Sequence, residues 1–183
     1  MTRAYRYILT HDSGMAPCPD GGLISLATCK PVIRRVARPG DWVMGFRPGS
    51  LERGLMLWAG KVAEKMSHGE YQQRYGNRSD AVYRMGKDGD YERLDPGYHP
   101  SQAEMDRDVR EPVLLFDRTV SIYLNGQPAP LPPSLAHLAA AGRGHRVSEL
   151  STSELAELER WVASLTPAAP ANRRCRRSSC RTC

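Results

Sequence analysis

The chain has no long apolar run. Nothing in its 183 residues could cross a bilayer as a helix, and the opening MTRAYRYILTHD has neither the apolar stretch nor the cleavage site of a secretory signal. A soluble, cytoplasmic protein with no membrane partner is the expectation. The chain also lacks a Walker loop, the HxE with PCxxC of a zinc deaminase, and the carboxylate cluster of a metal nuclease. These absences exclude known chemistries rather than all chemistry, and no metal or cofactor is expected. Cysteine is scarce and odd in number: Cys18, Cys29, Cys175, Cys180 and Cys183. Five cysteines without a signal argue against a disulfide framework. Cys180 and Cys183 form one CxxC with Cys175 upstream, and a lone CxxC is weak ground for zinc.

Acid is missing from residues 172–183, which carry five Arg, whereas residues 1–66 hold ten Lys and Arg against five Asp and Glu, and 67–171 hold eleven against fifteen. The net charge of +6 is therefore local. The body is near neutral, with a basic first third suited to an anion-binding face. Residues 167–183 are expected as a disordered Arg/Cys-rich tail that meets phosphates without specificity. The length suits one domain over 1–166.

The order of elements points to an α+β fold around a small, mostly antiparallel curved sheet or barrel. Residues 4–10 and 41–47 have strand composition, and 54–66 read as a longer strand. Residues 11–22 are a Gly/Pro loop. Pro31 opens a short helix ending before Pro39-Gly40. Ser67 with Glu70 caps another, running to Tyr75. Residues 76–111 are polar, without periodicity, and are expected as an insertion or lid. Strands resume at PVLLFD and RTVSIYL. Ser151 or Thr152 caps a final helix whose Leu155, Leu158, Trp161, Val162 and Leu165 form a packing stripe.

Residues 11–42 concentrate the candidate functional groups. Lys30, Arg34 and Arg35 stand at a helix start, where cations and backbone amides suit a phosphate. Trp42 and Trp58 lie on adjacent predicted strands and could wall a slot for a planar base. Arg38 and Arg47 are outer-rim candidates, and Asp41 caps its turn. Cys29 beside Lys30 suggests a nucleophile, with His11 as base if the fold brings it close, although no nucleophile signature surrounds it.

The strings HDSGMAP (11–17), ATCKPVIRR (27–35), PGDWVMG (39–45) and GLMLWAGKVAEKMSHGEYQ (54–72) resemble the nucleotide-modification-associated domain of the second type. VLLFDRTVSIYLNGQPAPLP and RGHRV extend the likeness over most of residues 4–165. More distantly, the GDWV strand, its hairpin and GLMLWAGKV are similar to the PUA-like superfamily of EVE, YTH and ASCH domains. That resemblance implies a PUA-like (EVE/ASCH-related) sheet with short flanking helices and a C-terminal helix. It also implies a place beside DNA-modification, restriction or phage-defence systems. His11 and Asp12 recur in the family pattern as a pair able to bond a base edge.

Two functions follow. The first is a binding module for a modified base in nucleic acid, DNA rather than RNA, using His11, Asp12, Lys30, Arg34, Arg35, Trp42 and Trp58. The second is an enzyme modifying or hydrolysing nucleotides or bases with His11, Asp12, Cys29 and Lys30. A third reading makes the chain an interaction subunit of a modification complex.

Overall fold

The computed structural model describes residues 1–49, 54–140, 142 and 144–165. In chain order its elements are β1 (Thr2–Ile8), β2 (Ser25–Leu26), α1 (Pro31–Val36), β3 (Trp42–Phe46), β4 (Leu55–Met66), α2 (His68–Tyr75), β5 (Tyr83–Met85), β6 (Tyr91–Arg93), α3 (Gln102–Arg110), β7 (Val113–Phe116), β8 (Ile122–Tyr123), β9 (Ala129–Pro130), β10 (His145–Leu150) and α4 (Thr152–Ser164). The chain is α+β, as its patterning implied. No helix among the described residues is long and apolar enough to cross a membrane. The basic tail, with Cys175, Cys180 and Cys183, lies outside the described residues.

The chain divides into two compact units. One comprises Met1–Thr10, Ala37–Ala63 and the described residues from Phe116 on; the other comprises His11–Val36 and Glu64–Leu115.

The first unit is an open sheet in the order β10-β1-β3-β4, with β8 and β9 also paired to β4. One pair departs from the expected antiparallel pattern: β1 and β3 run parallel, Ala4 opposite Trp42. Parallel strands need a long crossover rather than a hairpin, and residues 9–41 supply it. The stretch His145–Leu150 forms β10 and pairs along β1 from Thr2↔Leu150 to Tyr7↔His145. Arg146, Val147 and Glu149 are exposed, which suits an edge strand and conceals the strand signal. Helix α4 starts at Ser151 with a full capping box to Glu154, and buries Leu158 and Val162.

Both indoles belong to this core. Trp42 and Trp58 have no exposed surface. Trp58 meets Phe116 edge-on at 5.1 Å and donates from Nε1 to Tyr7 Oη at 3.2 Å. Gly45 lies opposite it on β3, and a Cβ at that position would stand 2.2 Å from Trp58 Nε1. The glycine exists to admit the indole.

The second unit holds the β2–β7 pair, the β5–β6 hairpin and three helices. Leu23, Ala27, Met66, Tyr71, Val113 and Leu115 make one of its cores; Met15, Cys29, Val82, Tyr83, Tyr98 and Met105 make the other. Residues 76–111 are thus not a polar lid: they supply most of the second core. Their strands are three residues long, too short to show alternation, and the buried aromatics are diluted among charges. Arg78 fastens the Gly/Pro loop by donating to Cys18 O at 2.9 Å and Leu23 O at 3.0 Å. It lies 3.5 Å from the buried Asp80 carboxylate, which accepts from Ser25 Oγ at 2.6 Å and Tyr71 Oη at 2.7 Å.

Replacing Gly45 by Ala should overpack the first unit. A loss of about 3 kcal/mol is expected, read as a lower urea midpoint with unchanged m-value. A midpoint equal to that of the parent would show that Trp58 can shift at no cost.

Candidate functional site

The sequence-predicted residues fall into two sets. Trp42 and Trp58 are in the core of the first unit, and indoles with no exposed face cannot wall a base slot in this conformation. His11, Asp12, Cys29, Lys30, Arg34 and Arg35 belong to the second unit. His11 and Arg35 are exposed, Asp12 and Lys30 partly so. Arg35 is ion-paired with Glu111 at 3.2 Å. In the first unit, Arg38 and Arg47 are exposed, and Asp41 does cap its turn, accepting from Arg38 N and Arg3 N at 2.9 Å each.

Arg34 is the main correction among the cations. Its guanidinium has no exposed surface and cannot serve as an outer phosphate contact. It donates to Ala27 O, and to Asp108 O at 2.5 Å, and lies 3.2 Å from His68 Nε2. Burial lowers its pKa to about 10, with Asp108 and Glu111 working in the opposite direction, so it stays charged at neutral pH. A short helix with Ile33 on the same side turns position 34 inward, which net charge alone does not reveal.

Asp108 of α3 organises the surroundings of Cys29. Its Oδ1 accepts from Cys29 N at 3.0 Å; its Oδ2 accepts from Tyr83 Oη at 2.9 Å and lies 2.6 Å from His99 Nδ1. Burial alone would push this carboxyl up. The hydrogen bond and charge of His99, with Arg34 and Tyr83, more than offset that and hold it below the ordinary carboxylate value. The far side of the same imidazole faces sulfur, with His99 Nε2 3.8 Å from Cys29 Sγ. Tyr98 Oη stands 3.9 Å from that sulfur and 2.6 Å from Thr28 Oγ1, and its ring stacks on His99 at 4.3 Å.

Cys29, His99 and Asp108 therefore form a sulfur–imidazole–carboxylate line, all three buried. The imidazole facing the sulfur is His99, not His11 as sequence reasoning suggested. His99 and Asp108 were missed because they sit in the segment that resembled a polar lid. The signal that could have found them was the rare aromatic-His step Tyr98-His99 ahead of a capped helix. Cys29 is disulfide-bonded, so its thiol is the form obtained on reduction.

The backbone is strained at the same place. Cys29, Lys30 and His99 have φ of +57°, +44° and +45°. Among the described residues only Asn125 joins them as a non-glycine with positive φ. Left-handed backbone costs roughly 1–2 kcal/mol per residue, and such outliers gather at functional sites.

These features define an α+β chain whose second unit encloses a cysteine sulfur, an imidazole and a carboxylate in one buried cluster. Comparison with known proteins adds a family likeness over part of the chain. The model of nucleotide modification associated domain 2 matches residues 1–81, so the likeness read from the motifs holds over that stretch. The match takes in Cys29 and stops short of Tyr83, His99 and Asp108. No curated protein and no solved structure matches the chain.

His68 offers a measurable signature of this network. Burial first, then the Arg34 charge, lowers its pKa to about 3. Between the unfolded value of about 6.5 and that folded value, the unfolded chain binds the extra proton. Stability conferred by neutral His68 is complete above pH 6.5 and falls as the pH drops towards 3. The difference in unfolding free energy between the parent and His68→Gln should shrink by about 1.4 kcal/mol per pH unit below pH 6. Asp108 contributes only near and below pH 4, so the range 6.5 to 4.5 isolates the histidine. Parallel curves for the two proteins would contradict it.

Proposed function

We propose that the chain, once the disulfide at Cys29 is reduced, is a thiol-dependent enzyme acting on nucleotides or bases within a DNA-modification, restriction or phage-defence system. The observation that carries this is the alignment of Cys29 Sγ, His99 Nε2, His99 Nδ1 and Asp108 Oδ2 at 3.8 and 2.6 Å. A cysteine is nucleophilic as thiolate, and an adjacent imidazole held by a carboxylate is the arrangement that produces one. Lys30, next to the nucleophile and partly exposed, adds positive field, while His11 and Asp12 flank the approach loop as substrate contacts. The cytoplasm, where thiols are kept reduced, is the compartment in which Cys29 would work.

Reduced protein should react with iodoacetamide at Cys29 at pH values well below the ordinary thiol pKa of about 8.5. In His99→Gln the inflection of that pH profile should move up towards the ordinary value. Nucleotide pools or DNA incubated with the protein should show a mass change that Cys29→Ser abolishes. An ordinary thiol profile, identical in parent and His99→Gln, would remove the basis for the proposal.

A second reading is kept because the family match covers the strands and loop on which it rests. In it the domain is PUA-like and holds a modified base of DNA, with His11, Asp12, Lys30 and Arg35 as contacts and without the buried indoles. That reading expects tighter, salt-sensitive binding of modified than of unmodified duplex by the Cys29→Ser protein, measured by fluorescence anisotropy. Equal affinity for both duplexes would reduce it to non-specific adhesion.

A further inference from the structure

We propose that two copies of this chain associate through the outer edge of β10, their strands pairing antiparallel about a two-fold axis at Val147. The contact belongs to the first unit and is independent of the chemistry at Cys29.

β10 stands at the end of the strand order, and among the described residues no strand pairs with it on the side away from β1. Which of its polar groups face outward follows from β1. In an extended strand the N–H and C=O of one residue point to one side, and those of the next residue to the other. Arg3 N donates to Asp41 Oδ1, just ahead of β3, at 2.9 Å, and Leu9 N donates to Phe46 O of β3 at 2.8 Å. The odd-numbered residues of β1 are therefore turned to β3 and the even-numbered ones to β10. The register sets Thr2, Ala4 and Arg6 opposite Leu150, Ser148 and Arg146, so those three bond to β1. His145, Val147 and Glu149 then point their N–H and C=O groups outward. The His145 carbonyl agrees, since it accepts from the exposed Arg146 side chain, from Nη1 at 3.2 Å.

A two-fold axis limits how an identical strand can use this row, because each contact must recur in reverse. With the axis on Val147, Val147 meets its own copy, His145 meets Glu149, and Arg146 meets Ser148. All three outward residues then exchange both of their bonds. Moving the axis to Arg146 or Ser148 leaves only two outward residues of β10 facing outward residues. The backbone thus selects Val147.

The side chains select the same register. Val147 is 45% exposed, one of few large apolar side chains left to solvent, and at the axis it covers its counterpart. At both ends of the ladder His145 stands opposite Glu149, whose carboxylate is half exposed and lies 3.6 Å from Arg3. A parallel arrangement would set Glu149 against Glu149, which is unfavourable. Edge strands that stay single are blunted by proline, by lysine or by a bulge. HRVSEL contains neither residue, and its register on β1 runs unbroken from end to end. A ladder this short buries little area, so the dimer is weak and concentration-dependent.

Sedimentation velocity on the full chain over a concentration series, with covalent dimers excluded on a non-reducing gel, should show a reversible monomer–dimer equilibrium. Val147→Lys places two cations on the axis and should weaken association about tenfold or more. Val147→Pro removes an N–H that β1 does not use, so the melting curve should hold while the dimer is lost. His145→Glu should also weaken the dimer, by setting like charges opposite each other. Amide exchange at Val147 and Glu149 should slow as the protein is concentrated. A chain that stays monomeric into the millimolar range overturns the proposal. So does a dimer of unchanged affinity in both Val147 variants, which puts the contact elsewhere. Amides at Val147 and Glu149 already protected in the dilute monomer would mean that another segment of this chain covers the edge, and would overturn it too.

Discussion

The second unit depends on one buried carboxylate. Asp108 collects a backbone amide from Cys29, a phenol from Tyr83 and an imidazole nitrogen from His99, while its own carbonyl accepts from Arg34 and faces His68. Those partners come from the loop before α1, from α1 itself, from α2, from β5 and from the stretch ahead of α3. A carboxylate this deeply buried is tolerated only because its charge is met by Arg34 and by hydrogen bonds. Deleting it would strand several buried donors and a buried guanidinium at once, the situation that costs about 3–5 kcal/mol in other proteins. Structure and proposed chemistry share the same atoms.

The strained backbone follows from that constraint. For Cys29 N to reach Asp108 while its sulfur faces His99, the chain must turn sharply just before α1. Two consecutive residues then take left-handed φ, although neither is glycine. Elsewhere the chain spends glycine freely on such turns, with Gly14, Gly21, Gly22 and Gly40 all at positive φ. A cysteine and a lysine kept where glycine would be easier indicate that their side chains matter more than the strain they impose.

Most secondary structure was legible because it is written in local chemistry: Pro31 at a helix start, Ser67 and Ser151 as caps, and the long β4. The parallel β1–β3 pair was not, since strand direction is decided by where the crossover returns. The site was half legible. Cys29 and Lys30 stood out through their surroundings in sequence, but a short helix gives no sign of which arginine turns inward, and Arg34 and Arg35 took opposite fates. The tryptophans misled for a related reason. Gly45, which makes room for Trp58, comes opposite it only once β3 and β4 pair, and an indole beside a Gly-Asp turn looks the same whether it faces a ligand or a core. His99 and Asp108 were hidden because polar residues in a segment without periodicity read as solvent-facing, whereas these are satisfied by one another.

How the family match divides the site bears on what the matched domain can do. Cys29, its lysine neighbour and the buried arginine lie within residues 1–81, and His99 with Asp108 lies beyond them. A thiol alone is slow at neutral pH, because most of it is protonated, and a buried thiol is slower still. The imidazole and carboxylate change that only if the later segment folds against the earlier loop, which Tyr83, Tyr98 and Met105 enforce by sharing a core with Met15 and Cys29. Catalytic competence in this reading is therefore a packing property. It depends on buried side chains that hold 82–108 against the cysteine loop, so that the imidazole, the carboxylate and the sulfur arrive at one point.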